Sequence, residues 1–181
     1  RLAEQFQGDI FVSIHYNAVA NAAQAKSARG MEIWTWSPKV NDNAATSYLR
    51  NLENEEGLFS LGDANKSATP VLSQMMIDAL EEQALESREF ADSLERAFLR
   101  DSYFKNYYRG QKQSRFKVLE NYDMPSTLIE VGFIGHPSDV KQAVDRKFQQ
   151  RVAQHIYDGI VHYFETHDPD FAAARRARSR K

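Results

Sequence analysis

Asp9-Ile10-Phe11-Val12-Ser13-Ile14-His15-Tyr16-Asn17 is the stretch on which the reading of the fold turns. Its apolar, β-branched run predicts a strand over Asp9 to His15, buried as in a parallel sheet. Such a strand carries His15 to its C-terminal end, where ligands gather in open α/β sheets. A neutral imidazole there can bind zinc, or it can hydrogen-bond within a loop. Upstream, Leu2 to Gln7 reads as the last turns of a helix closed by Gly8. Downstream, Asn17 to Arg29 is rich in Ala, Asn and Ser and reads as a loop. Gly30 opens a second strand, Met31 to Trp36, which ends at Ser37-Pro38.

Further out the pattern changes from two-residue to three- and four-residue spacing. Asn41 to Glu56 reads as a helix with an acidic end, and Gly57 to Thr69 as a polar stretch. Pro70 can start a helix. From Val71 to Phe104 the apolar positions predict one amphipathic helix of unusual length, or two in series. Strand character returns at Phe116 to Leu119, and again at Ser126 to Phe133 after the turn Asp123-Met124-Pro125. Helices are expected over Ser138 to Val144 and Phe148 to Phe164. The tail from Asp168 ends in Arg-Arg-Ala-Arg-Ser-Arg-Lys, has little to bury, and is expected to be mobile. The sum is an α/β domain with an all-helical insertion over about residues 40–110.

Composition narrows the function. The chain has 181 residues, 42% apolar and 27% charged, enough for one domain with a sizeable core. A net charge of −2 argues against nucleic acid as a partner. The absence of cysteine excludes disulfides and thiolate zinc sites. No run approaches the length of a membrane span. A chain that begins with Arg1 rather than Met is read as processed or truncated.

Glu130 is the second residue to carry chemistry. It interrupts Thr-Leu-Ile-Glu-Val-Gly-Phe-Ile, an otherwise apolar strand. A carboxylate among apolar walls is costly unless it is paired or metal-linked, and such a setting suits a general base or acid. On a half-exposed strand it would simply face water. Gly132 and Gly135 nearby suggest a close backbone approach. Ser138 or Asp139 is expected to cap the next helix, and His136 before them to have a minor role at the site. His155 and His162, seven apart, share a helix face and read as surface or packed residues.

Three segments then resemble one family. Ser-Ile-His-Tyr-Asn-Ala (Ser13 to Ala18), Gly-Met-Glu-Ile-Trp (Gly30 to Trp34) and Leu-Ile-Glu-Val-Gly-Phe-Ile (Leu128 to Ile134) are similar, in order and spacing, to motifs of the zinc-dependent N-acetylmuramoyl-L-alanine amidases. The resemblance implies an amidase/zinc-exopeptidase-like fold, a mixed sheet flanked by helices. It implies hydrolysis of the amide between N-acetylmuramic acid and L-Ala in peptidoglycan, in the periplasm or cell envelope. It makes His15 a Zn2+ ligand, Glu130 the catalytic glutamate and Asn17 a substrate-side residue. The insertion resembles the regulatory insert of Gram-negative cell-division amidases. There an inserted helix covers the zinc, a glutamate plugs it, and a LytM-domain activator draws it away. Glu53, Glu55 and Glu56 are the candidate plugs.

The resemblance also implies what is not matched. The family's Gly-His-Gly-Gly-type motif and a following Glu supply two more zinc ligands. No Gly-His-Gly occurs here, and Glu4 lies too close to the strand to serve. Residues 1–167 are therefore expected to be the C-terminal portion of an amidase catalytic domain, N-terminally incomplete, with 168–181 a basic flexible tail. The alternatives are a non-catalytic peptidoglycan- or partner-binding remnant of the fold, and a zinc peptidase on a related fold.

Overall fold

The computed structural model describes residues 6–19, 22–37, 70–120 and 123–178, with backbone alone for 22, 23, 70–74, 76, 77 and 80. The strands are β1 (Phe11–Asn17), β2 (Met31–Trp36), β3 (Tyr108–Ser114) and β4 (Ser126–Phe133). The helices are α1 (Ala22–Ala25), α2 (Pro70–Phe98), α3 (Ser102–Tyr107), α4 (Pro137–Ala143), α5 (Arg146–His167) and α6 (Pro169–Arg178). The strands form one mixed sheet in the order β1-β4-β2-β3. β1 runs parallel to β4, β4 antiparallel to β2, and β2 parallel to β3.

Position in the sheet explains the strand sequences. β4 is central and every one of its residues is buried, which is why it reads as a nearly continuous apolar run. Side chains alternate between the two faces. On one face Met31, Ile33, Ile129 and Val131 share a core with Phe90, Leu94 and Phe98 of α2 and Val152 and Ile156 of α5. On the other, Trp34, Trp36 and Leu128 cluster with Phe116 and Leu119. Trp34 and Phe116 meet edge to face, with centroids 5.2 Å apart.

Several expectations change. The strand placed at Phe116 to Leu119 is instead a 3-10 turn over Lys117–Leu119. Phe116 and Leu119 are buried because residues three apart in a turn point the same way. The actual strand, β3, precedes it. Its sequence Tyr-Arg-Gly-Gln-Lys-Gln-Ser lacks an apolar pattern, and at the end of the sheet order it is only partly buried. The long helix resolves into two in series. α2 stops at Phe98, and Asp101 starts α3 by accepting from the Tyr103 N–H at 2.9 Å.

The expected insertion over about 40–110 is described only in part. Residues 38–69, with the helix read over Asn41 to Glu56, lie outside the described residues. From Ala84 onward α2 is core, since Phe90, Ala91, Leu94 and Phe98 are almost wholly buried. The basic tail is helical over Pro169–Arg178. Asp168 accepts from the amides of Asp170 and Phe171, and Phe171 lies against Phe164. A cap and one aromatic contact supply what the composition did not suggest. Of the helix read at Leu2 to Gln7, only the turn at Phe6-Gln7 is described.

Candidate active site

Register places the site. His15 on β1 is paired with Glu130 on β4, and Glu130 with Glu32 on β2. Residues opposite one another on adjacent strands share a face. The three side chains therefore form a row across the sheet, at about 5 Å per strand. Glu130 is 0% exposed and Glu32 2% exposed, while His15 at the edge is half-buried.

Two β-bulges add to this row. From His15 to Asn17 the partner strand β4 advances by one residue more, from Glu130 to Phe133. From Met31 to Ile33 the partner strand β3 does the same, from Tyr108 to Gln111. An extra residue re-aims the side chains that follow it. Gly110, at φ +94, lies in the second bulge and takes a backbone conformation that other residues rarely adopt. In a regular strand Arg109 and Lys112, three apart, would lie on opposite faces. Here both reach Glu32.

Glu32 thus collects four donors from three strands. Arg109 Nε and Lys112 Nζ donate to Oε1 at 2.7 and 2.6 Å. Asn17 Nδ2 and Trp34 Nε1 donate to Oε2 at 3.0 and 3.1 Å. Two buried carboxylates directly opposite each other repel. The two cations offset that repulsion.

A second buried carboxylate braces the same region. Asp139 does not cap α4 through its side chain; His136 is the residue at the N-cap. Asp139 Oδ2 instead accepts from the amides of Gly30 and Phe133, both at 3.0 Å. It ties the start of β2 to the bulge beside Glu130. Arg29 Nε lies 3.3 Å and His136 Nδ1 3.7 Å from its other oxygen. Burial, and then the charge of Asp139, push the Tyr16 phenol above its usual range, so Tyr16 stays protonated next to His15. The close approaches expected at Gly132 and Gly135 are present, to Asp139 and Ala25.

The structure brings His15, Glu130 and Asn17 together. Asn17 is 4% exposed and its amide is directed at Glu32 rather than outward. Glu53, Glu55 and Glu56 lie outside the described residues. His155 Nε2 is 3.0 Å from Asp101, and His167 Nε2 is 3.0 Å from Glu89; both are far in sequence from the row and serve packing. Glu32, Arg109 and Lys112 escaped the sequence reading. Glu32 carried the same signal as Glu130, a carboxylate in an apolar strand. In Tyr-Arg-Gly-Gln-Lys the one mark of the bulge that aims the two cations is Gly110, and it reads as such only once β3 is known to be a strand.

Zinc needs at least three protein donors. Among the described residues no group of three or more His, Cys, Asp or Glu is placed to hold a metal ion. His15 is the one imidazole in the row. The described residues do not by themselves fit the ion.

Comparison with known proteins identifies the family. The family model described as N-acetylmuramoyl-L-alanine amidase matches residues 1–162. The chain is 31% identical over 166 residues to N-acetylmuramoyl-L-alanine amidase AmiC of Escherichia coli O6:H1, covering 90% of this chain and 37% of that protein. The N-acetylmuramoyl-L-alanine amidase of Clostridium difficile 630 has a similar fold, with TM-score 0.58 at 24% identity over 91% of this chain and 62% of that one. The catalytic domain of CwlV from Bacillus (Paenibacillus) polymyxa gives TM-score 0.56 at 22% identity, with coverage of 91% and 62%. The chain thus spans about a third to two thirds of the length of these relatives. A match over nine tenths of its residues means that the chain belongs to the N-acetylmuramoyl-L-alanine amidase family.

Proposed function

We propose that these residues provide the catalytic glutamate, and one zinc donor, of a hydrolase that cleaves the amide between N-acetylmuramic acid and L-Ala in peptidoglycan. The observation that carries this is the register pairing of His15 with buried Glu130. Glu130 takes a proton from water as the water oxygen attacks the amide carbonyl carbon. The C–N bond then breaks, and the proton passes to the leaving nitrogen of L-Ala. A carboxylate remains on the lactyl group. A zinc ion would need two donors beyond His15, and the reading of the chain's own residues does not depend on it. Asn17 acts on the substrate side indirectly, by orienting Glu32. The place of action is the cell envelope, and no described helix is long and apolar enough to cross a membrane.

Digestion of purified sacculi with mass analysis of the products tests this. Stem peptides with a free N-terminal L-Ala are expected, and not from Glu130→Gln. Cleavage between amino acids would establish a peptidase instead. The incomplete donor set favours a second reading, a peptidoglycan-binding module without catalysis. Co-sedimentation with sacculi and no release of peptides would establish it.

Regulation is part of the proposal. One of Glu53, Glu55 and Glu56 plugs the site, and a partner with a LytM-type domain removes it. Because α2 is core from Ala84 onward, the informative deletion is residues 41–69. Higher peptide release from that deletion supports autoinhibition, and unchanged release overturns it.

A further inference from the structure

Glu32 is a buried anion held by two cations whose side chains reach the surface. We propose that Arg109 and Lys112 form a subsite for a carboxylate of an acidic peptide lying across the sheet from Glu130. The proposal rests on Glu130 acting at the scissile amide.

The charges point outward. Glu32 is 2% exposed, but the Arg109 and Lys112 side chains are 42% and 34% exposed. The anions are inside, and the positive charge is at the surface. Both cation heads are already seated. The Arg109 guanidinium lies 5.2 Å from the Phe133 ring centroid, and Lys112 Nζ 5.2 Å from that of Trp34. Groups held in place lose little freedom when a ligand arrives. Guanidinium and ammonium groups are suited to carboxylates. The bulge at Gly110 puts both on the face of Glu130; a regular strand would have shown only one.

Distance sets the ligand. β3 lies two strands from β4, about 10 Å at the usual strand spacing. An extended peptide covers about 3.3 Å per residue. The subsite therefore takes a carboxylate two or three residues along the peptide from the cleaved amide.

Binding tests this apart from hydrolysis. The full chain is titrated calorimetrically with a peptidoglycan-derived tripeptide that begins with L-Ala and has free carboxylates, and with the same tripeptide fully amidated. The acid form is expected to bind about tenfold tighter. Lys112→Gln and Arg109→Gln should each reduce that preference to about threefold or less, and Lys112→Arg should retain it. Equal binding of the two peptides overturns the subsite, as does a preference unchanged in both Gln variants. The wild-type comparison decides even where a variant fails to fold. Acid-selective binding with sacculi left intact keeps the subsite and overturns the amidase reading. Hydrolysis without acid preference does the reverse.

Discussion

Glu130 on β4 stands directly opposite Glu32 on β2, and neither side chain is more than 2% exposed. Carboxylates about 5 Å apart repel by about 3 kcal/mol at an effective dielectric of about 20. The pair persists because Arg109 and Lys112 both bind one oxygen of Glu32. The site is therefore a charge-balanced unit that spans four strands, and not a lone glutamate in an apolar wall.

That balance has a measurable weight. Replacing both Arg109 and Lys112 by Ala leaves Glu32 buried beside Glu130 with only neutral donors. The double variant is expected to lose about 3–5 kcal/mol of stability, as when a buried pair is broken on one side. Urea denaturation of the double variant against each single variant checks this; the singles should each lose clearly less.

Glu130→Gln preserves shape and removes the proton acceptor. Peptide release from sacculi is expected to fall by a factor of about 10²–10⁴. Circular dichroism should show the fold unchanged. Retained activity would move the role of base to another residue.

Two glycines separate conformational from steric cost. Gly110 has φ +94 and nothing within 4 Å of an added Cβ, so Gly110→Ala is expected to cost about 1–2 kcal/mol through backbone strain alone. At Gly159 on α5 a Cβ would lie 2.8 Å from Leu94 Cα on α2. Gly159→Ala should raise helix propensity yet lose about 1–3 kcal/mol, because two packed helices must separate. Chemical denaturation reports both, and a stabilised Gly159→Ala would show that the helices can yield.

Acid sensitivity is expected at Asp101. Burial alone would raise its pKa, but hydrogen bonds from Arg151, His155 and the Tyr103 amide hold it at about 2. A carboxyl below its unfolded value stabilises the fold above about pH 4, and this contribution fades as pH falls toward the folded value. Melting temperature should therefore drop on acidification through that window. Asp101→Asn should flatten the drop while keeping a side chain that can cap α3. An equally steep drop in that variant would place the acid-labile group elsewhere.

Much of this was legible from local pattern. β2 and β4 match their expected ends, because buried strands leave uninterrupted apolar runs; β1 lies within two residues of its own, but at the sheet edge it is half-buried rather than buried as expected. Glu130 stood out by breaking such a run, and α5 by its spacing. β3 did not, because an edge strand carrying charges has neither run nor alternation. The helical tail was missed because one capping Asp and one Phe–Phe contact outweigh a basic composition.

The sequence by itself determined the family, three of the four strands, and the two residues paired across β1 and β4. Local patterns and short motifs carry that information within a few neighbours. Only the tertiary structure decided that Glu32 joins them, that Asn17 turns to it, and that two bulges bring Arg109 and Lys112 to the same carboxylate. Strand order, register and bulges arise from pairing between segments distant in the chain. A one-residue offset there reverses the face on which a side chain lies, and no single segment records it.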